Sequence, residues 1–122
     1  MKQRMRTKPA VVIYSVNARC LDLKEFSGFF GRRKKEKLYE STMMEISEKV
    51  LDLFHDVETF SFAMTEEGFH ILIWTAMDRN RVARIMVYVQ ARFSEMVNRS
   101  LGRTGPVWDG TWSCDSIDEP EE

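Results

Sequence analysis

The chain has 122 residues, 43% of them hydrophobic and 30% charged, enough for one core and too few for two. No apolar run approaches the ~20 residues needed to cross a bilayer, and the N-terminal stretch lacks a small-residue cleavage site, so the cytosol is the expected compartment and no membrane partner is expected. The formal charge of -1 conceals an asymmetry: all 18 Lys and Arg fall in residues 1–103 against 13 acids, giving +5, whereas residues 104–122 carry six acids and no base, a basic body with an acidic end that suits a polyanion partner.

Residues 1–9 contain Lys2, Arg4, Arg6 and Lys8 with little apolar content and read as a flexible basic arm. The folded domain is expected over 10–117. Ala10 to Ala18 is rich in β-branched residues and short enough for a buried strand. Cys20 and Cys114 cannot make a disulfide framework or a four-ligand zinc site, so both are expected to be reduced. Residues 19–31, with Gly28, Gly31, Phe26, Phe29 and Phe30, read as a loop whose rings cover one end of the core.

From Arg32 to about Asp56 there is no Gly or Pro, and Tyr39, Met43, Ile46, Val50, Leu53, Phe54 and Val57 recur at helical spacing. This helix opens on Arg32, Arg33, Lys34, Lys35 and Lys37, where cations meet the positive end of the helix dipole. Local stability does not explain the cluster; an anionic partner would, and a solvated charge run is the simpler alternative. His55 reads as a favourable charge at the helix C-terminus.

Glu58 to Met64 alternates Phe60, Phe62 and Met64 against Thr59, Ser61 and Ala63. A polar turn through Gly68 leads into a second strand, Phe69 to Ala76, whose His70 shares its face with Leu72 and Trp74. Asp78 is placed to cap a second helix from Arg79 to Leu101, with Gly102 as its stop. At 100° per residue from Arg84, the core face of Ile85, Met96, Val89, Val82, Phe93, Met86 and Val97 spans about 100° to 220°. Arg81, Arg84, Tyr88, Arg92 and Arg99 form a stripe at about 0° to 80°. A turn-rich stretch then leads to a short strand, Thr111 to Ile117, and residues 118–122 form an acidic, disordered tail. The order strand, helix, strand, strand, helix, strand predicts an α+β, ferredoxin-like split βαβ domain: an antiparallel sheet with two helices on one face.

Several stretches together resemble the HUH tyrosine transposases, the small single-strand DNA enzymes of the insertion-sequence-200 type, and especially their REP-associated relatives. The resemblance spans roughly Ala10 to Ile117. It rests on the strand pair around FAMTEEGFHILIW and, most specifically, on Arg84, Ile85, Met86, Arg92, Phe93, Asn98, Arg99, Gly102, Arg103, Gly105, Trp108, Gly110 and Trp112 in order. It implies a mobile-element protein of DNA transposition. Such chemistry uses two histidines on alternate strand positions to hold a divalent cation, magnesium or manganese, and a helical tyrosine to attack the scissile phosphate.

This chain matches that plan in part. His70 falls on the second histidine, and the first falls on Gly68. Glu67 could replace it only if the turn or a bulge rotated it onto the same face as His70; otherwise His70 is a strand residue with one hydrogen bond. The last tyrosine, Tyr88, lies in the arginine stripe, where stacking on a base or snorkelling suits it better than attack. A nuclease on this plan would need a further segment carrying the tyrosine.

Three readings follow from the sequence. The first is a transposase-like domain that binds single-stranded or hairpin DNA without cutting it, through the stripe, Arg103, the Arg32, Arg33, Lys34 and Lys35 cluster and the N-terminal arm. The second is an active nicking transposase with His70 and Glu67 on a divalent cation. The third is a non-catalytic interaction module in which an exposed strand pairs with a second copy, as a homodimer, or with a host protein, while the acidic tail covers the basic face.

Overall fold

The structure is a computed structural model and describes residues 11–21, 29–110 and 112–117. Strand β1 is Val12–Arg19, helix α1 Phe29–Leu53, β2 Val57–Met64, β3 Gly68–Thr75, helix α2 Arg79–Leu101 and β4 Ser113–Ile117. The sheet order is β2-β3-β1-β4 with every neighbouring pair antiparallel, which is the α+β, ferredoxin-like arrangement expected from the element order. The arm 1–9, Phe26, Gly28, Thr111 and the tail 118–122 lie outside the described residues.

Alternation within the central strands decides which face is covered. Tyr14, Val16 and Ala18 of β1 and Phe69, Ile71 and Ile73 of β3 are buried. They meet Tyr39, Met43, Ile46 and Val50 of α1 and Val82, Ile85, Met86, Val89, Phe93 and Val97 of α2 in one core. The intervening residues Ile13, Ser15, Asn17 and Arg19, with His70, Leu72 and Trp74, occupy the other sheet face.

Two boundaries depart from expectation. Helix α1 begins at Phe29 and runs through Gly31, so Phe29, Phe30 and Gly31 belong to the helix backbone and not to a loop. One glycine costs a helix only about 1 kcal/mol, too little to stop one with a long buried face. At the other end α1 stops at Leu53, and Phe54 to Val57 form a turn closed by Val57 N–H donating to the Phe54 carbonyl at 3.0 Å. His55 therefore lies beyond the helix, not in its last turn.

Helix α2 has the ends its sequence predicts. The Asp78 carboxylate accepts the Asn80 N–H at 3.1 Å. Gly102 takes the left-handed conformation (φ 62°, ψ 39°), with Gly102 N–H donating to the Arg99 carbonyl at 3.4 Å and Arg103 N–H to the Asn98 carbonyl at 3.0 Å. Those two bonds are the Schellman pattern, and only a residue without a Cβ takes that conformation without strain.

Candidate nucleic-acid interface

The amphipathic division of α2 holds: the six buried residues Val82, Ile85, Met86, Val89, Phe93 and Val97 all belong to the expected core face. The arginine stripe beside it is unequal. Arg81 is committed inside the fold, its Nη2 2.9 Å from Asp56 Oδ1 and its Nε donating to Asp56 Oδ2 at 3.1 Å, with its guanidinium 5.6 Å from the centre of the Phe54 ring. Arg92 Nη1 donates to Glu95 Oε1 at 2.7 Å, and Arg99 Nη2 stands 3.6 Å from the other oxygen of the same carboxylate. That hydrogen bond to Glu95 is the main influence raising the already high pKa of Arg92. Arg84 is exposed and has no carboxylate partner among the described residues.

Two further members of the expected interface have structural contacts. Tyr88 is half-buried, its ring 6.0 Å from that of Phe54 in an edge-on contact, so its face is partly withdrawn from any base. Arg103 donates from Nη2 to the Pro106 carbonyl at 3.2 Å.

The helices bring separate parts of the sequence together. Tyr39 of α1 meets Phe93 of α2 with ring centres 5.1 Å apart, while Asp56, just past α1, meets Arg81 at the start of α2. The helices therefore run antiparallel, and the basic opening of α1 lies alongside the second half of α2. Arg33, Lys34, Lys35 and Lys37 thereby share one end of the helical layer with Arg92, Arg99 and Arg103, while Arg81 and Arg84 lie at the other. Lys34 and Lys37 are exposed and without a carboxylate partner among the described residues; Arg32 lies in α1 by its backbone. The α1 cluster thus shares an end of the helical layer with the second half of α2, and within it Arg33 and Lys37 line a groove with Met64 and Glu66 at the β2–β3 turn.

The histidine position is built differently from a cation site. His70 Nε2 shares a hydrogen bond of 2.8 Å with Ser15 Oγ across the open sheet face. Glu67 is exposed, its carboxylate 3.9 Å from Arg19 Nη1 and its carbonyl accepting from Cys20 N–H at 2.7 Å. Gly68 stands so close to β1 that a Cβ there would lie 2.1 Å from the Ala18 carbonyl oxygen and 2.7 Å from Arg19 Cα. No side chain fits at that position while the two strands keep their pairing. Among the described residues no group of three or more His, Cys, Asp or Glu gathers in a way that could hold a metal. The residues present do not fit a cation shared between His70 and its neighbours.

The resembling stretch after α2 has structural work in every part that can be followed. Asn98 Nδ2 donates to the Gly105 carbonyl at 2.9 Å, and Gly105 itself has φ 104°. Leu21 N–H donates to the Val107 carbonyl at 2.8 Å and Asp109 N–H to the Arg19 carbonyl at 2.7 Å, which straps residues 107–109 onto the end of β1. Trp108 closes the strap: its indole N–H donates to the Gln90 carbonyl at 3.0 Å and its ring lies 4.9 Å from that of Phe93. These residues hold the strap on the core.

Ser15 has no counterpart among the expected site residues, because a β-branched run reads as buried on both faces. The signal was the alternation Ile13, Ser15, Asn17, Arg19, which marks one face of β1 as polar. Asp56 and Glu95, which hold three of the arginines, have no periodicity or motif to single them out. Among the described residues no helix is long and apolar enough to cross a membrane. The chain matches no known protein-family model and no curated protein.

Proposed function

We propose that this domain binds single-stranded or hairpin DNA, as a transposase-like module that does not itself cut the strand. The observation that carries the reading is the antiparallel helix pair, which sets the basic opening of α1 beside Arg92, Arg99 and Arg103. Lysines and arginines clustered on one end of a helical layer neutralise successive phosphates, and flexible exposed side chains adapt to a single strand or a hairpin stem. The resemblance to the HUH tyrosine transposases supports DNA as the polyanion. Two features support a domain that does not cut: Gly68, where a second ligand side chain has no room, and His70, whose Nε2 shares a hydrogen bond with Ser15.

Fluorescence anisotropy with a labelled hairpin and a labelled single strand tests the reading across a salt series. The log of the affinity should fall linearly with log salt, at a slope of roughly -0.7 per phosphate contact for a single strand. Affinity that is absent, or flat with salt, contradicts it.

A further inference from the structure

Both helices pack on one face of the sheet, against Tyr14, Val16 and Ala18 of β1 and Phe69, Ile71 and Ile73 of β3. On the other face the strand register lines side chains up in rows. Trp74, Ile13 and Ile117 stand opposite one another across β3, β1 and β4, and Leu72, Ser15 and Asp115 make the next row. Residues directly opposite in an antiparallel pair share a face, so three large apolar side chains sit in line at one end of it. Trp74 is 38% and Ile117 45% exposed, while Asp115 is exposed and has no cation partner among the described residues. A contiguous apolar row with a polar rim marks a contact surface.

The chain itself supplies a matching segment. Residues 22–28 continue from the far end of β1 to α1, which packs on the covered face. Residues 118–122 follow Ile117 at the near end, but Asp118, Glu119, Glu121 and Glu122 would add like charge beside Asp115. Residues 1–9 join β1 at that same end and carry Lys2, Arg4, Arg6 and Lys8, a cation at every second position. An extended segment puts alternate side chains on one side, so these four cations share a side at the spacing of the sheet's own rows. Pro9 suits the second position of a chain reversal over residues 8–11. Such a reversal sets Arg6 over the Ile13 row and Arg4 over the Ser15 row, and residues 1–8 extended reach roughly 26 Å, enough to follow β1 along its length.

We infer that residues 1–9 fold back over the open face of their own sheet, with Arg6 stacked on the Trp74 indole and Arg4 paired with Asp115. A guanidinium over an indole face gains from the ring quadrupole, and its methylene stem covers apolar surface while the charge stays wet. The contact explains why an exposed tryptophan and an unpaired carboxylate stand in adjacent rows beside the origin of a basic segment. It does not rest on the DNA reading, because the open face lies opposite the helical layer. Its consequence for that reading is that the four cations of the segment are committed to the sheet and do not extend the surface at the helix ends.

Paramagnetic relaxation in the full chain, without DNA, tests this. A nitroxide is attached through Thr7→Cys; Cys20 and Cys114 are buried, which directs the label to the introduced thiol. The label should broaden the Trp74 indole N–H and the Ile117 methyls and spare Met44 and Val87 on the helices. Trp74→Leu and Asp115→Asn, each placed in the labelled chain, should lower the docked-to-free ratio at least roughly twofold, read at the Ile117 methyls. Near-UV circular dichroism confirms that each variant is folded, and Arg6→Gln replaces either one that is not. Broadening confined to residues 118–122 or to the helices overturns the inference, as does no broadening at all or a docked fraction unchanged in the variants. Mixing labelled chain with isotope-enriched unlabelled chain should leave the enriched signals sharp; broadening there assigns the contact to a second copy and also overturns it.

Discussion

Arg81 and Asp56 close a two-pronged ion pair between the start of α2 and the turn after α1, with both contacts near 3 Å and both side chains mostly shielded from solvent. The same Asp56 Oδ2 accepts the hydroxyl of the fully buried Thr75 at 2.9 Å, and Thr75 Oγ1 in turn accepts Met77 N–H at 3.1 Å. One carboxylate thus ties the end of β3, the start of α2 and the end of α1 to one another. Arg81→Ala should leave Asp56 short of its charged partner and lower stability by about 2 kcal/mol, a fall in melting temperature of about 5 to 10 °C. Hairpin affinity should stay within about twofold of wild type. Thermal melting and anisotropy on the same protein separate the two effects; a large loss of affinity in a folded, stable variant would return Arg81 to the DNA surface.

Gly68 is fixed by the backbone of β1, not by a turn. Gly68→Ala puts a Cβ where the Ala18 carbonyl stands, so β1 and β3 must separate locally, at a cost of about 3 kcal/mol or more. Gly68→His should be at least as damaging and should not create metal-dependent cleavage of a hairpin. Urea denaturation reads the first claim and a cleavage assay with magnesium or manganese reads the second; an alanine variant as stable as wild type would contradict the packing.

Glu95 occupies two arginines that lie on the proposed surface. Glu95→Gln removes a local anion and releases Arg92 and Arg99 to phosphate, so hairpin affinity should rise roughly threefold to tenfold at low salt, with a steeper salt slope. Unchanged affinity and slope would place these arginines outside the contact.

Tyr14 supplies a pH test of the core near the β3 to α2 connection. Its hydroxyl donates to the Met77 carbonyl at 3.1 Å, and burial first, then the nearby Asp78 carboxylate, raise its pKa above the ordinary value of 10.0. A raised folded pKa means that the unfolded chain loses this proton first as pH climbs. The contribution to stability is therefore complete below pH 10.0 and is lost as pH rises through the folded value. Urea midpoints of wild type and Tyr14→Phe should converge as pH passes about 10; a gap that widens there would contradict the sign.

The layout of the domain was legible because its signals are local and mutually consistent. Asp78 and Gly102 bracket α2, its core face repeats at helical spacing, and Phe60 and Ile71 sit on strands of clear alternation. Periodicity places a residue on a face but does not say which charge on another element meets it. The arginine stripe was readable as a stripe, whereas its division was not: Arg81 finds Asp56 across 25 residues of chain, and only the antiparallel crossing sets the basic opening of α1 at the Arg99 end and not at the Arg84 end. Gly68 likewise read as a turn residue, while its tight approach to Ala18 depends on the register of β1 against β3. Trp108 and Asn98, whose order carried the resemblance, turn out to fix a strap to the core.

The most direct measurement compares hairpin binding by three folded variants over one salt series: Lys34→Gln with Lys35→Gln and Arg99→Gln together, Arg84→Gln alone, and Arg81→Gln alone. The account predicts that the triple variant loses roughly two units of salt slope, about 0.7 for each of three phosphate contacts, with affinity falling at least tenfold at low salt. Arg84→Gln and Arg81→Gln should each keep a slope close to wild type. A triple variant that binds as tightly as wild type, with an undiminished slope, would contradict a DNA surface at the meeting of α1 and the second half of α2.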